Sequence, residues 1–557
     1  MRPTRDLLAW SILLLALAGH WLLFARYVDR EITWRHAANF DQTASLHLAY
    51  QTFESARQDG PLTAVARGLR ASPPTGVVMH LAPLPLFALW GPSRLAALAV
   101  NWLAFALLQI ATVLVARALG GWALAALALG LLWAARAPFY WIGGLDDFRS
   151  DLVAYCLYGC FVAAVVWSDG FRRRGAAIAA GGLAAACVLE RALTSAYLGV
   201  LLAVYGAIVL FRYWRASEPG ARADARRVVG GLLACGACLA AIAGPVLAFQ
   251  AHKIWNYYVV GHVTGMEKYV RAANTGVTTA AAALAFYPLS VWIDHLGANF
   301  VRLSGATLAV LLLGRLAAPA PPAHEAPRRD LFIFVALAVL VPLVVLNLDM
   351  AKSPVVGAIV VPPIAWLVVL ASAALSTRTP RAIVAGISAA VLLGGAAYQV
   401  VRLTGASARV TTVAAYQDTT RLHLAIAETS AARGWTAPSV LADRLHDYAP
   451  SIRVTAYERR RQPLDVQDPL GSAGVLAPTD DLLERAIAQS DFVIVTRPGS
   501  LRADITPNPF AATMRAWYPR LVEHCARERV ALGTFHVPEE VTLYVRPMAA
   551  ASPTTAR

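Results

Sequence analysis

Long apolar runs, separated by short polar and arginine-rich segments, dominate the first 400 residues of the chain. Each run has the length of about 17 to 25 residues that an α-helix needs to cross the hydrocarbon core of a bilayer. The pattern predicts eleven membrane-spanning helices, at 7–25, 94–115, 121–137, 151–167, 175–190, 193–211, 228–249, 298–316, 331–348, 355–376 and 383–401. We therefore expect an α-helical multi-pass membrane protein.

The pattern changes after residue 401, where short β-branched and aromatic runs alternate with amphipathic stretches. Strands are predicted from the runs PSVLAD, SIRVTAY, DFVIVTR, VALGTFHV and VTLYVR. Helices are predicted near 419–433, 480–489 and 510–529. We therefore divide the chain into a transmembrane domain, 1–401, and a small soluble α/β domain, 402–557.

Two other long connections, 26–93 and 250–297, interrupt the series of predicted spans. The first contains an apolar stretch, VVMHLAPLPLFALW, that is broken by Pro83 and Pro85. Proline removes a backbone donor and disturbs a helix, so this stretch predicts a re-entrant or interfacial helix and not a further span.

Composition strengthens the membrane assignment. Of the 557 residues, 58% are hydrophobic and only 15% are charged, whereas soluble domains carry about 25% charged residues. A soluble protein is therefore excluded. The net charge of +15 is of the size found in proteins that bind nucleic acid or anionic lipid, so the placement of the basic residues must be considered.

The basic residues follow the positive-inside rule if the N-terminus is cytoplasmic. All connections after even-numbered spans then lie inside, and they contain Arg117, DGFRRRG, FRYWRASEPGARADARR, PPAHEAPRRD and STRTPR. The basic excess is thus explained by membrane topology and contact with membrane lipids, and no nucleic acid partner is expected. An odd number of spans puts the C-terminal domain and the connections 26–93 and 250–297 outside, which in a bacterial inner membrane is the periplasm.

Charged residues at the outer ends of the predicted spans are the candidates for chemistry, because charges beside the bilayer are costly. The acidic candidates are Asp41 in NFDQTASLHLAY and Asp146, Asp147 and Asp151 in GGLDDFRSD. A structural alternative for Asp41 is a helix N-cap, and for the other three it is a turn paired with Arg149.

Basic residues on the same predicted face run against the positive-inside trend. They are Arg149, Arg191, Lys253, Lys268, Arg271 and Lys352. Together they suit an anionic headgroup, since phosphate is bound by charge-assisted hydrogen bonds. The alternative for each one singly is that its side chain snorkels to the interface.

With these features in place, the chain resembles the GT-C fold membrane glycosyltransferases, the polyprenyl-phosphate-sugar-dependent class that includes protein O-mannosyltransferases and aminoarabinose transferases. The resemblance covers about residues 1–400. It rests on a first span with an inner N-terminus, Asp41 in a long first outer loop, the proline-interrupted run, the GGLDDFRSD loop and a Lys-Ser-Pro segment that opens a late span.

The resemblance implies inverting transfer of a sugar from a polyprenyl-phosphate donor to a glycan, lipid or protein acceptor at the periplasmic face. Asp41 matches the position of the catalytic base, and Arg191 and Lys352 match the positions that stabilise the leaving phosphate, with Arg149, Lys268 and Arg271 as further candidates. Some members of the class bind a divalent metal ion through acidic loop residues. For Mg²⁺ or Mn²⁺ the candidate ligands here are Asp146, Asp147 and Asp151.

Two other classes of protein fit parts of the pattern. A secondary transporter would also have many spans and charges, but common transporter folds have internal repeats and midplane sites, whereas these charges gather on one face. A non-enzymatic scaffold that presents the α/β domain would explain the topology but not the acidic loops.

Overall fold

A computed structural model describes residues 2–34, 40–71, 76–265, 267–317, 326–349, 351–405, 413–442, 449–470, 479–497, 509–537 and 539–547. The chain divides into two compact units. The first contains Met1–Arg30, Thr52–Gly265 and Val277–Ala406. The second contains Glu31–Gln51, Met266–Gly276 and Ser407–Arg557.

Helices account for most of the structure. In chain order they are α1 (Arg2–Tyr27), α2 (Phe40–Asp59), α3 (Pro61–Ala71), α4 (Val77–Leu81), α5 (Pro83–Trp90), α6 (Arg94–Ala134), α7 (Ser150–Trp167), α8 (Arg174–Glu190), α9 (Thr194–Arg215), α10 (Pro219–Ile254), α11 (Glu267–Thr275), α12 (Ala280–Ser290), α13 (Gly297–Ala317), α14 (Arg329–Leu348), α15 (Val361–Ser376), α16 (Arg381–Thr404), α17 (Val413–Ala432), α18 (Ala449–Arg460), α19 (Asp480–Gln489) and α20 (Pro509–Glu528).

The multi-pass helical architecture is confirmed. Within the described residues, nine helical segments are long and apolar enough to cross a membrane: Asp6–Ile32, Arg94–Phe139, Ser150–Trp167, Thr194–Arg215, Pro219–His262, Ala280–Ala317, Arg329–Leu348, Pro354–Ser376 and Arg381–Thr404. The prediction has two more spans than this, and α6 and α8 account for the difference.

Helix α6 contains two spans and not one. Its backbone leaves the helical conformation at Gly120 and Gly121, where φ of Gly121 is +78°. The Trp133 Nε1–H donates to Gln109 Oε1 over 2.9 Å, although 24 residues of straight helix would extend about 36 Å. The two halves therefore fold back on each other, as predicted for 94–115 and 121–137.

Two short helical segments complete the comparison with the predicted spans. Helix α8 has 17 residues, just long enough to cross, and corresponds to the span predicted at 175–190. Helices α4 and α5 together cover the 14 residues Val77–Trp90, which extend about 21 Å and are too short to cross a core of about 30 Å.

A polar network fastens the first and last spans to α6. The Trp102 Nε1–H donates to His20 Nδ1 over 3.0 Å, so the second ring nitrogen, Nε2, carries the proton and donates to Gln399 Oε1 over 3.1 Å. The Gln399 amide in turn donates to the Trp133 carbonyl over 2.8 Å. All these polar groups are satisfied within the protein, as the apolar surroundings of a span require.

Ion pairs hold several arginine-rich connections together. Arg172 of the DGFRRRG loop contacts Asp224 at 2.6 Å and Asp330 at 2.8 Å, and Arg212 also pairs with Asp330. These residues lie at the ends of α9, α10 and α14 and in the turn before α8. Three of the connections predicted to be cytoplasmic, those that contain Arg172, Asp224 and Asp330, therefore share one side of the first unit.

The second unit is built on a four-stranded sheet with the order β1-β2-β4-β3. Its strands are β1 (Val440–Ala442), β2 (Phe492–Thr496), β3 (Val530–Val537) and β4 (Glu539–Val545). Strands β1 and β2 are parallel, and the other two pairings are antiparallel.

Alternation along β2 divides the core of this sheet into two layers. Phe492 and Ile494 face a cluster that includes residues of α17 and α18, and Val493 and Val495 face a cluster that includes residues of α19 and α20. This arrangement is what the period of two along a strand dictates when helices cover both faces of a sheet. The predicted C-terminal α/β architecture is thus present.

One predicted strand in this region is wrong. SIRVTAY lies within the helix α18 and not in the sheet. Its β-branched residues favour a strand, but Ala449 and Ile452, three residues apart on one helix face, both pack into the core against the sheet. Tertiary packing therefore overrides the local preference.

Candidate functional site

A buried asparagine fixes the shape of the GGLDDFRSD loop. Asn101, in the first half of α6, donates through Nδ2 to the carbonyl oxygens of Gly144 and Leu145 over 3.3 Å and of Asp147 over 2.9 Å. Backbone carbonyls at the end of a span need such partners, because no water is available in hydrocarbon. The loop is thereby held at a defined position before α7.

Gly143 allows this loop to approach its neighbours closely. Its φ of +74° is disfavoured for residues with a Cβ, and an added Cβ would overlap the Val355 Cγ2 and lie 2.9 Å from the Asp151 Cβ. The Gly143 N–H donates to Asp147 Oδ2 over 2.7 Å. Glycine at this position therefore brings two acidic residues of the loop against the segment that begins α15.

The acidic residues of the loop are joined to two of the predicted phosphate-binding arginines. Asp151 Oδ1 accepts a hydrogen bond from Arg191 Nη1, and its Oδ2 lies 3.4 Å from Arg149 Nε. Arg149 also lies 3.8 Å from Asp147. The side chains of Asp151, Arg149 and Arg191 are only 4%, 14% and 16% exposed, so water screens this ion network weakly.

Lys352 is buried at the end of α14, with 2% of its surface exposed. Its Nζ donates to the carbonyls of Leu346 over 3.1 Å and Asn347 over 2.9 Å, and it lies 5.1 Å from the centre of the Tyr287 ring. Burial lowers the pKa of Lys352, and the charge of Asp349 partly opposes that shift. The ammonium group thus caps the helix while it stays beside an acidic neighbour.

The Lys-Ser-Pro segment is held from the α12 side. The Ser353 N–H donates to the Tyr287 hydroxyl over 3.3 Å, and His295 Nε2 donates to the Pro354 carbonyl over 2.7 Å. These contacts fix the backbone on both sides of Ser353. The position of Lys352 is therefore fixed by contacts of the neighbouring backbone as well as by those of its own side chain.

Tyr197 is a buried residue beside the arginine network. It is 1% exposed, and its hydroxyl has no hydrogen-bond partner among the described residues. Tyr197, Arg191, Asp151 and Val355 line a cavity of about 10 Å³, which has room for about one water-sized group. Because Val355 is three residues after Lys352, the arginine network and the Lys-Ser-Pro segment belong to one neighbourhood.

Glu190 is a residue of this neighbourhood that the sequence analysis did not single out. It is fully buried and precedes Arg191 directly. The Met79 N–H donates to its Oε2 over 3.1 Å, and the Gly76 N–H donates to its backbone oxygen. The pair ties the short helix α4 to the turn that holds Arg191. The sequence feature that could have identified Glu190 is a carboxylate at the end of a predicted span, where charges are rare.

Four of the predicted residues remain. Asp146 accepts a hydrogen bond from the Tyr27 hydroxyl over 3.0 Å, at the end of α1. Asp41 is exposed in the first turn of α2 and belongs to the second unit. Lys268 and Arg271 lie on α11, also in the second unit. The roles of these residues remain predictions.

The structure does not confirm the metal site predicted at the acidic loop. Among the residues that the structure describes, no three His, Cys, Asp or Glu side chains are grouped to hold a metal ion. The oxygens of Asp147 and Asp151 face the Gly143 N–H and the guanidinium groups of Arg149 and Arg191. Cations that already neutralise these carboxylates disfavour a second cation, so we assign no step to a metal.

Comparison with family models and with curated protein sequences finds no match. Solved structures do match along nearly the whole chain. ArnT from Cupriavidus metallidurans bound to undecaprenyl phosphate has a TM-score of 0.57 at 13% identity and covers 99% of this chain and 100% of its own.

The archaeal oligosaccharyltransferase AglB from Archaeoglobus fulgidus, in complex with an inhibitory peptide and a dolichol-phosphate, has a TM-score of 0.53 at 11% identity. The match covers 99% of this chain and 75% of AglB. Identity this low supports the fold alone. Since both of these proteins have the GT-C fold, the expected fold is confirmed: the chain has the GT-C fold of membrane glycosyltransferases.

Proposed function

We propose that this protein is a membrane glycosyltransferase that moves a sugar from a polyprenyl-phosphate donor to an acceptor hydroxyl at the periplasmic face. The observation that carries the proposal is the fold that it shares, end to end, with a protein bound to undecaprenyl phosphate. The buried cationic neighbourhood at the helix ends agrees with it, because buried charges are retained where a ligand or a reaction requires them.

In the proposed reaction Asp41 accepts the proton of the acceptor hydroxyl as that oxygen attacks the anomeric carbon. The bond between this carbon and the phosphate oxygen breaks, and the configuration at the carbon is inverted. The carrier phosphate leaves with an additional negative charge. General-base assistance of this kind contributes about 10² to 10⁴ in rate.

Arg191 and Lys352 are proposed to stabilise the leaving phosphate. Both lie at helix ends of the first unit, and both are largely buried, so their contacts with a phosphate would be screened weakly. We propose Arg149, Lys268 and Arg271 as further contacts for the anionic headgroup. The acceptor class, whether glycan, lipid or protein, is left open in this proposal.

The periplasmic assignment follows from the proposed topology, with a cytoplasmic N-terminus in a bacterial inner membrane. Alkaline phosphatase fused after Arg557 is expected to be active, and a fusion within the DGFRRRG loop is expected to be inactive. The reverse pattern would overturn the orientation and the side of the membrane on which transfer takes place.

Binding of undecaprenyl phosphate to the purified full-length protein in lipid nanodiscs tests the donor class. Arg191→Gln is expected to weaken binding at least tenfold, because a charge-assisted contact with phosphate contributes about 1.5 to 3 kcal/mol. Arg173→Gln, which removes an exposed arginine of the DGFRRRG loop, is the matched control and should change affinity less than twofold. Equal affinities of wild type and Arg191→Gln, with equal thermal stability, would refute the role of Arg191.

A further inference from the structure

Asp151 is the carboxylate that two guanidinium groups share in the ion network. One carboxylate faces two guanidinium groups, since Arg191 donates to Oδ1 and Arg149 Nε lies 3.4 Å from Oδ2. All three side chains are largely buried. A carboxylate held in this way is a strong competitor for any other anion that approaches Arg191.

Arg191 still has hydrogen-bonding capacity in this arrangement. Its Nε–H is buried and has no partner among the described residues, and the same is true of the Tyr197 hydroxyl. Both residues line the cavity of about 10 Å³ beside Asp151. Two unpartnered donors thus belong to residues that line the same small cavity, and a buried donor needs an acceptor.

We propose that Asp151 is an internal counter-ion that Arg191 exchanges for the phosphate group of the ligand. The proposal rests on the proposed function and deepens it. Without ligand, Asp151 neutralises the charge of Arg191 and accepts its hydrogen bond. When phosphate binds, Arg191 turns from Asp151 to the phosphate oxygens, and one of these oxygens, which is about the size of a water molecule, accepts from the Tyr197 hydroxyl and the Arg191 Nε–H.

The exchange has a consequence for release of the spent carrier. Because Asp151 remains beside Arg191, it competes with the bound phosphate and repels it. It therefore weakens the binding of carrier phosphate and promotes its departure after transfer. Removing the charge of Asp151 should tighten phosphate binding, which is opposite to the effect expected if Asp151 only stabilises the fold.

Affinities for undecaprenyl phosphate, measured with full-length protein in nanodiscs, test the inference. Asp151→Asn is expected to bind at least tenfold tighter than wild type. Asp224→Asn is the matched control, because it also removes a carboxylate from a half-buried arginine pair, that with Arg172, but on the other side of the first unit. Its affinity should stay within twofold of wild type.

Inorganic phosphate distinguishes recognition of the phosphate group from recognition of the lipid. If it displaces undecaprenyl phosphate from Asp151→Asn at a concentration at least tenfold lower than from wild type, the freed Arg191 recognises phosphate itself. If wild type binds undecaprenyl phosphate and Asp151→Asn binds it no tighter, the counter-ion role of Asp151 is overturned and the proposed function stays intact. Absence of binding to both proteins would overturn the proposed function as well.

A second variant covers the case in which Asp151→Asn does not yield folded protein. Asp151→Ser also removes the carboxylate and releases Arg191, its small polar side chain suits the first turn of α7, and it leaves every proposed phosphate contact in place. It too is expected to bind undecaprenyl phosphate at least threefold tighter than wild type. Affinity equal to or weaker than that of wild type would contradict the exchange of Arg191 between Asp151 and phosphate.

Discussion

Replacing Lys352 by methionine separates the structural role of its ammonium group from its proposed role in phosphate binding. Methionine keeps an unbranched apolar side chain and removes the charge. The Leu346 carbonyl keeps a second donor, the Asp349 N–H at 3.2 Å, whereas the Asn347 carbonyl loses the bond from Lys352. One buried acceptor left without its donor costs about 1 to 3 kcal/mol, which is the expected loss of folding free energy.

The effect on donor binding has a different size. A lost charge-assisted contact with phosphate is worth about 1.5 to 3 kcal/mol, which corresponds to about a 10- to 150-fold weaker affinity for undecaprenyl phosphate. The two quantities are measured separately, by thermal unfolding and by lipid titration of the full-length protein in nanodiscs. Lys253→Met is the matched control. The Lys253 Nζ also donates to a backbone carbonyl, that of Arg70, but the residue is exposed and is not one of the proposed phosphate contacts.

The pH dependence supplies a further test. Burial lowers the pKa of Lys352 below its ordinary value of 10.5, so the ammonium group loses its proton at a lower pH than an exposed lysine does. Affinity of the wild type should therefore fall as the pH rises through that lowered pKa, and the affinity of Lys352→Met should stay constant over the same range. A Lys352→Met protein that is less stable but binds undecaprenyl phosphate as tightly as wild type would refute the phosphate role and leave Lys352 as a helix cap.

Three further changes test other parts of the structure. Asp41→Asn should reduce the rate of sugar transfer by about 10² to 10⁴. It should lower thermal stability only slightly, since a first-turn carboxylate contributes about 0.3 to 1 kcal/mol to a helix. A near wild-type rate of transfer would refute the role of Asp41 as catalytic base. Burial and the charge of Arg453 lower the pKa of His47 from 6.5 to about 3. Between these two pKa values only the unfolded state gains a proton, so the free energy of unfolding should fall by about 1.4 kcal/mol from pH 8 to 5.5. The fall should be smaller in His47→Gln. Equal losses in the two proteins would contradict the burial of His47. Gly143→Ala should destabilise the protein by about 2 kcal/mol or more and lower its melting temperature. Gly121→Ala is the control, because Gly121 has a similar φ but open space around the added Cβ, and it should lower the melting temperature less.

The spans could be predicted because each is specified by a continuous apolar run. The pair Gly120 and Gly121 marks the turn between two such runs. The arginines of the connections predict which side of the membrane each connection faces. Less of the second unit was predictable. SIRVTAY has the composition of a strand, and only its contacts with the sheet and with α17 determine that it is helical.

The sequence predicted which charged residues belong to the candidate site, but not which of them pair with each other. Charges at the ends of spans identified Asp151 and Arg191, yet these residues are 40 positions apart, and no local pattern indicates that they form an ion pair. Asn101 was missed because a single polar residue in an apolar run has many possible partners. Tyr197 was missed because a tyrosine at a membrane interface is common.

The arrangement of these pairs bears on why the charges are buried at all. An ion pair taken out of water rarely stabilises a protein more than apolar residues of the same volume would. In the first unit such groups gather in two places: Arg172 and its partners join the connections on one side, and Asp151 and its partners lie on the other. The Arg172 network directs its donors to carboxylates and backbone oxygens, as expected for a group that only holds helix ends together. The Asp151 network leaves the Arg191 Nε–H and the Tyr197 hydroxyl without partners beside a cavity. Because a buried donor needs an acceptor, the unpartnered donors of Arg191 and Tyr197 beside this cavity favour a role in binding an anion.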